Sequence, residues 1–273
     1  MLFFQISNAI KQKGTHFFGI FIEKQYLCTH FIFTHAHNKI MNILLIETSA
    51  KACSVALCHD FNIEFKRETL EGPNHASVLG QFVEDTIQYA RQNDMMPDAV
   101  AVSAGPGSYT GLRIGVSEAK GVAFGLNIPL IGIPTLEALC CHVMFCPILE
   151  EGMPEGGYYC PMIDARRMEV YTALYDNALN EVRPIKAEVI DEHFLEKELE
   201  EHPIYFFGDG ANKCQEVIKH PNAHFIPNVR VMASDMMALA IKRFNQGKFD
   251  DTAYFVPFYL KEFVATLPKN QLQ

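Results

Sequence analysis

The sequence predicts an α/β protein of two lobes, each built on a mixed β-sheet with helices on its faces. Three observations predict this fold class. Strand and helix patterns follow the order βββαβαβα between residues 43 and 145. A stretch rich in proline and glycine, Cys146 to Gly157, separates that block from a second strand hairpin. The chain has 273 residues, 49% of them apolar, which is enough to form a large core.

The first lobe is predicted to begin with three strands. Residues 43–46 form a continuous apolar run, typical of a central strand that is covered on both faces, and Glu47, Thr48 and Ser49 follow it. Residues 53–57 and 61–65 alternate apolar with polar side chains, with a turn at His59-Asp60 between them. These strands are therefore predicted to form a meander.

A helix and a second buried strand come next. Apolar side chains recur at helical spacing from His75 to Arg91, and Asn74 is a suitable N-cap. Residues 99–102 are again continuously apolar. They lead into the glycine-rich turn 103–111, so a strand–turn–helix unit is predicted there.

The rest of the first lobe follows the same alternation. Ser108 or Thr110 can cap a helix that runs to about Gly125. Residues 130–133 are predicted to form the fifth strand and Thr135–Phe145 the third helix.

The second lobe is predicted from weaker patterns. Its expected elements are a hairpin of 158–163 and 169–175 turned at 164–167, an acidic helix at 191–201, a strand at 204–207, a helix from 211 to 219 and a last helix at 236–244. Residues 255–260 are expected to return to the first lobe.

Residues 1–40 differ in composition from the rest of the chain, with four lysines and a single acidic residue. We expect Met41 to be the true start and 1–40 to be translated upstream sequence; the alternative is a genuine mobile extension. The predicted division is therefore 1–40 as this extension, 41–146 as the N-terminal lobe and 147–273 as the C-terminal lobe.

Composition excludes several classes of protein. A net charge of −9 argues against binding nucleic acid without a partner. No apolar run reaches the roughly 20 residues that span a bilayer, and no secretory signal is recognisable, so a cytoplasmic location is predicted. The eight cysteines show no CxxC pair, which predicts reduced, buried thiols. No metal site is predicted, because Pro-Asn separates His220 from His224.

The candidate chemistry lies in three turns. The turn Gly105-Pro106-Gly107-Ser108 could offer the backbone N–H groups of its residues other than proline to an anion, or could simply be a tight turn; it has no Walker lysine and no GxGxxG pattern. Glu47 could orient a metal-bound water or a phosphate, but a structural acid is the simpler interpretation. Asp164, beside Arg166 and Arg167, suggests an internal ion pair or an exposed contact for an acidic partner.

Seven segments stand out along residues 41–260: ILLIETS (43–49), CSVAL (53–57), AGPGSYTGLRIG (104–115), AKG (119–121), IPTLEAL (133–139), DARRMEVY (164–171) and GDGA (208–211). Through these segments the chain resembles the bacterial TsaB (YeaZ) family over essentially all of residues 41–260. The resemblance implies the two-lobed actin/sugar-kinase/Hsp70 type of duplicated ribonuclease-H-like fold. The glycine-rich segment is highly specific.

The resemblance implies a scaffold role. Proteins of this family pair with a TsaD-like catalytic subunit and, with a TsaE-like ATPase, serve threonylcarbamoyl transfer to N6 of the adenosine next to the tRNA anticodon. A homodimer is implied when the chain is alone, with tRNA bound only through the complex. No catalytic residue and no cofactor is assigned to this chain; ATP and a metal would belong to the partner subunits.

The resemblance also implies three groups of site residues. The partner surface would lie on the first two helices and include His75, Val78, Leu79, Phe82, Val83, Thr110, Leu112, Arg113, Val116 and Lys120. A structural loop near the cleft between the lobes would contain Gly105, Pro106, Gly107, Ser108 and Gly111. A residual nucleotide site would contain Glu47, Thr48, Asp164, Gly208 and Gly210.

Departures from the family pattern bear on activity. The family more often has Asp where Glu47 stands, and the turns after Glu47 and Asp164 lack the glycine of nucleotide-binding relatives, so loss of ATP hydrolysis is inferred. His75 has Leu79 four residues later and offers no metal-binding histidine pair. The alternative functions are an ATPase or phosphotransferase that uses Glu47 and the Gly105–Gly111 loop, and, least favoured, a metal-dependent peptidase.

Overall fold

The structure, a computed structural model, describes residues 40–70, 75–145 and 156–261. Three sequence predictions lie outside the described residues: the extension before residue 40, the Asn74 cap, and the boundary segment up to residue 155. The fold class predicted from the sequence is confirmed by two five-stranded mixed sheets with flanking helices.

The first sheet has the order β3-β2-β1-β4-β5. Its first three strands are antiparallel neighbours, and β1, β4 and β5 are parallel. Three helices, numbered α1 to α3, follow β3, β4 and β5, so the predicted order of elements is confirmed. The strands are β1 (Asn42–Glu47), β2 (Cys53–His59), β3 (Asn62–Thr69), β4 (Ala99–Gly105) and β5 (Leu130–Pro134), and the helices are α1 (His75–Gln92), α2 (Tyr109–Leu126) and α3 (Thr135–Phe145).

The second sheet repeats this plan with the order β8-β7-β6-β9-β10. Strands β6 to β8 are antiparallel neighbours, and β6, β9 and β10 are parallel. The two lobes are therefore structural duplicates. Their strands are β6 (Tyr158–Asp164), β7 (Glu169–Tyr175), β8 (Glu181–Val189), β9 (Ile204–Phe207) and β10 (Ala223–Ile226).

Two predicted helices of the second lobe are much shorter than expected. The predicted acidic helix at 191–201 is only α4 (Glu196–Glu201), because Leu195 has a left-handed backbone (φ 57°) and turns its buried side chain into the core. The helix predicted to reach residue 219 is only α5 (Ala211–Cys214). There the amides of Val217 and Ile218 both donate to the Cys214 carbonyl, closing a turn instead.

The first sheet is covered on both faces. Leu44 and Ile46 point towards α1 and α2, while Ile43 and Leu45 belong to a second cluster with α3. That second face is completed by a 3-10 helix (Ala233–Met236) and by α6 (Met237–Asn245) from late in the chain. The chain thus returns to the first sheet from residue 233 onwards, and the predicted return at 255–260 is also observed, because the Phe258 amide donates to the Ala104 carbonyl at 2.7 Å.

A C-terminal strap, residues 250–261, then crosses the molecule. It begins beside β5, where the Gly132 amide donates to Asp250 Oδ2 at 2.7 Å. It passes along α2, where Lys120 Nζ donates to the carbonyls of Ala253 (2.9 Å) and Phe255 (3.2 Å). It ends at the second lobe with an ion pair between Lys261 and Glu169.

The cysteines fit the prediction of reduced, buried thiols. All six in the described part of the chain are free and buried. Burial raises the pKa of Cys53 to about 11 and that of Cys58 to about 12, so neither thiol is activated. Among the described residues, no helix is long and apolar enough to cross a membrane.

Candidate functional site

The turn after β1 is buried completely. Glu47, Thr48 and Ser49 have no exposed surface. The Ser49 amide donates to Glu47 Oε1 at 2.5 Å, and Thr48 Oγ1 donates to the Gly111 carbonyl at 2.8 Å. The turn is therefore locked both internally and against the start of α2.

The glycine-rich loop is shaped to receive this turn. A Cβ atom at Gly107 would lie 2.5 Å from the Ser49 carbonyl oxygen, and one at Gly115 would lie 2.2 Å from Thr48 Oγ1. The Ser108 amide donates to the Ser49 carbonyl at 2.7 Å, and Ser108 Oγ caps α2 by accepting from the Gly111 amide at 3.2 Å. Because the chain itself uses these amides, the geometry favours the tight-turn interpretation over an anion site.

The second lobe contains the matching turn. Gly105 ends β4 with φ +104°, and Gly208 follows β9, the equivalent strand, with φ +106°. A Cβ atom at Gly208 would lie 2.2 Å from the Met162 carbonyl oxygen, and one at Gly210 would lie 3.0 Å from the Asp164 nitrogen. In the second lobe glycine therefore lets the ends of the parallel strands β6 and β9 approach closely, whereas a Cβ atom at Gly105 would meet the Phe258 carbonyl oxygen of the strap at 2.6 Å.

Glu47 is the last residue of β1, and its side chain lies on the face of the first sheet that the 3-10 helix covers. Its neighbours on the adjacent strands are Ser54 on β2 and Ser103 on β4. Burial raises the pKa of Glu47 to about 7, and Asp235 on that helix adds to the effect. Glu47 Oε2 is buried without a hydrogen-bond partner, and the residue does not line the cleft between the lobes.

The cleft between the lobes has a volume of about 910 Å³. One wall is formed by residues after β1 and by the glycine-rich loop from Gly107 to Gly111. The other is formed by the β6–β7 hairpin, with Asp164, Arg166 and Arg167, and by Asp209. The structural loop and the hairpin singled out by sequence thus face each other across this space.

The acidic groups of the hairpin are held by lysines. Asp164 Oδ1 forms an ion pair with Lys213 Nζ, and Glu169 pairs with Lys261 of the strap. Asp209 Oδ1 accepts a hydrogen bond from the Asp164 amide at 2.9 Å, which acts to lower the Asp209 pKa. Local desolvation outweighs this bond and raises the pKa, although Asp209 is an exposed residue. Among the described residues, no group of His, Cys, Asp and Glu could hold a metal ion.

The predicted partner surface needs correcting at four of its residues, which are buried. Leu79, Val83, Leu112 and Val116 are at most 4% exposed, and Leu79, Val83 and Val116 pack on the chain's own first sheet, so these four side chains cannot meet a partner. The ammonium group of Lys120 holds the strap. The other residues stay a prediction: Val78 and Phe82 are half-buried, Thr110 and Arg113 are exposed, and His75 Nε2 lies 3.2 Å from the Ala52 carbonyl oxygen.

The outward face of α1 and α2 lies elsewhere on these helices. A groove of about 850 Å³ runs between them, lined in part by Ile87 and Val122. Cβ atoms at Gly80, Gly121 and Gly125 would meet nothing within 4 Å, so packing within the chain does not explain these glycines. Phe124, on the same helix, is 86% exposed. The sequence signal that could have revealed this face is the spacing of Gly121 and Gly125, four residues apart in α2.

Two sheets of the same order, with a glycine at equivalent strand ends and a cleft between them, define the actin/sugar-kinase/Hsp70 class of two-lobed protein. A family model described as TsaD: tRNA N6-adenosine threonylcarbamoyltransferase matches residues 69–267. The solved structure of YeaZ from Pseudomonas aeruginosa superposes with a TM-score of 0.64 at 24% identity, covering 81% of this chain and 100% of that chain.

Two curated relatives indicate the family within this class of two-lobed protein. The tRNA threonylcarbamoyladenosine biosynthesis protein TsaB of Bacillus subtilis is 30% identical over 185 residues, 66% of this chain and 76% of the relative. The protein of the same name from Escherichia coli is 28% identical over 236 residues, 82% of this chain and 96% of the relative. The chain belongs to the TsaB (YeaZ) family.

Proposed function

We propose that this chain takes part in tRNA threonylcarbamoyladenosine biosynthesis as a non-catalytic scaffold. In this proposal it binds a TsaD-like catalytic subunit, which acts with a TsaE-like ATPase to transfer a threonylcarbamoyl group to N6 of the adenosine next to the anticodon. ATP and a metal ion would be bound by those partners, tRNA would be bound only by the complex, and the isolated chain would be a cytoplasmic homodimer.

The observation that carries the proposal is the contrast between two surfaces. At the glycine-rich loop, where an anion could have been bound, the turn after β1 fills the space, and Glu47 is buried and does not line the cleft. On the α1–α2 face, by contrast, the glycines and Phe124 are open to a partner. Phe124 does not line the groove, but an exposed aromatic group three residues from Gly121 on the same helix supports a protein interface, where such groups carry much of the binding energy.

Co-purification tests the scaffold role directly. The full chain is mixed with the same organism's TsaD-like subunit, and tRNA modification is then assayed with the TsaE-like ATPase, ATP and threonylcarbamoyl-adenylate. We expect a complex, and modification that depends on this chain, while the isolated chain turns over no ATP. Absence of a complex together with unchanged modification would overturn the proposal.

A pair of variants locates the interface. Gly121→Arg introduces a long charged side chain into the α1–α2 groove and should abolish the complex while leaving the thermal unfolding midpoint unchanged. Gln215→Arg, an equal addition of charge at an exposed site on the second lobe, is the matched control and should still form the complex. ATP turnover by the isolated chain that Glu47→Ala removes would instead favour the enzyme alternative.

A further inference from the structure

The β6–β7 hairpin presents two adjacent arginines to the cleft. Arg166 and Arg167 are both exposed and line the cavity between the lobes. Their backbones have φ of 72° and 51°, a left-handed conformation that L side chains rarely adopt. Within the described part of the chain, neither guanidinium group has an ion-pair partner, which answers the question of an internal pair left open by the sequence.

The charge of these arginines is not cancelled by their neighbours. Asp164 is paired with Lys213, and Glu169 with Lys261. Asp209 is the third acid among the described residues that line the cleft. It accepts a hydrogen bond from the Asp164 amide, and the positive charges of Lys51 and Lys213 act to lower its pKa. Two uncompensated guanidinium groups in a chain of net charge −9 form a local site for an anionic ligand.

The opposite wall of the cleft offers the ring of Tyr109 and hydroxyl donors. Tyr109 lines the cavity and contacts Tyr259 of the strap, with ring centroids 4.8 Å apart. Arg113 lies over the Tyr109 ring at 5.5 Å. The exposed hydroxyls of Ser108 and Thr110 lie on the same wall. Cationic groups beside aromatic rings are typical of surfaces that bind the phosphates and bases of RNA.

We propose that Arg166 and Arg167 contact phosphate groups of the tRNA when this chain is part of its complex. This inference rests on the proposed function, which supplies an RNA substrate to the assembly. Arginine presents a planar fork of donors that matches phosphate oxygens, and nearby tyrosine rings can stack on unpaired bases. The overall negative charge explains why the contact needs the complex, since this chain alone has too few cations to hold RNA.

The test is tRNA binding by the assembled complex, measured by fluorescence anisotropy over a salt series. The double variant Arg166→Gln/Arg167→Gln should weaken binding by about 10-fold near physiological salt. It should also reduce the slope of log affinity against log salt concentration by about 1 to 2, since each phosphate contact contributes roughly 0.7–0.9. Arg166→Lys/Arg167→Lys keeps the charge and should retain most of the slope.

Matched controls separate the outcomes. Lys186→Gln/Lys197→Gln removes the same charge from exposed positions that do not line the cleft and should leave affinity and slope unchanged. An intact complex of the arginine variant with unchanged tRNA affinity would overturn the inference. If the arginine variant fails to assemble while the control variant assembles, the inference is also overturned, because the arginines would then bind an acidic surface of a partner protein. Failure of the unsubstituted chain to assemble would remove the proposed function and this inference with it.

Discussion

Gly111 lies so close to Thr48 that a Cβ atom there would stand 2.1 Å from the Thr48 carbonyl oxygen. The contact is reciprocal, because Thr48 Oγ1 donates to the Gly111 carbonyl at 2.8 Å. The first turn of α2 is thereby fixed to the end of β1. Since α2 also carries the open face with Gly121 and Phe124, the turn after β1 sets the position of the proposed partner surface.

Gly111→Ala should destabilise the fold. The added methyl group meets backbone atoms that cannot move without shifting β1 or α2, so we expect a loss of about 2–4 kcal/mol in the free energy of unfolding, measured by urea titration. Gly125→Ala is the control in the same helix, where a Cβ atom meets nothing within 4 Å. It should be neutral or stabilising by up to about 1 kcal/mol, since alanine favours helix. Equal effects of the two substitutions would contradict this account.

Stability should fall as pH rises through the titration range of Glu47. Its pKa is about 7 in the folded chain against 4.5 in the unfolded one, so between these values the folded state keeps a proton that the unfolded state has released. Glu47→Gln removes this titration and keeps an acceptor for the Ser49 amide. Relative to the variant, the unsubstituted chain should lose on the order of 3 kcal/mol between pH 4.5 and 8.

Urea unfolding at several pH values measures that difference. His142, whose pKa is raised mainly by its hydrogen bond to Asp235, also stabilises the fold at low pH and loses this contribution as pH rises. Because His142 is present in both proteins, its effect cancels from the comparison. Parallel pH profiles for the two proteins would contradict the raised pKa of Glu47.

Phe124→Ser should weaken partner binding without weakening the fold. The ring is 86% exposed, so its loss should change the free energy of unfolding by less than about 0.5 kcal/mol. If the ring is buried by the partner, its removal should cost about 10-fold or more in affinity, measured by calorimetry with the TsaD-like subunit. Val189→Ser, which alters a 70% exposed side chain at the edge of the second sheet, should leave affinity unchanged.

Lys120→Met should loosen the strap while preserving the rest of the fold. The ammonium group is the donor to two strap carbonyls, and methionine keeps a side chain of similar length without that donor. Limited proteolysis should then cleave within residues 253–258 at least several-fold faster. Lys66→Met on the exposed strand β3 is the control and should not alter the cleavage rate; cleavage of both variants at the unsubstituted rate would show that Lys120 does not hold the strap.

The first lobe could be predicted well because its local patterns are strong. Continuous apolar runs define β1 and β4, and the bounds predicted for α3, Thr135–Phe145, are those observed. Strands β8 and β10 were missed in the second lobe. Strand β8 is a sheet edge that contains Pro184 and many charged residues, and β10 has only four residues beside a proline, so neither resembles a buried strand.

The sequence predicted where the candidate site lies, but it predicted only some of the contacts that its residues make. The glycine-rich loop was singled out, yet its tight fit around Thr48 depends on a contact between residues 63 positions apart, which spacing alone does not reveal. The apolar face of α1 was interpreted as a partner surface, whereas Leu79 and Val83 pack on the sheet. A helix with apolar side chains around much of its circumference does not disclose which side faces its own core.

The return of the 3-10 helix and α6 to the first sheet has a consequence for biosynthesis. The face of that sheet with Ile43 and Leu45 is buried by Met236, Leu239 and Ile241, which a ribosome adds almost two hundred residues later. An N-terminal lobe emerging alone therefore displays an uncovered apolar surface. Such a nascent chain would be a natural client for a chaperone until α6 has been synthesised, and contacts this distant in sequence favour slow folding.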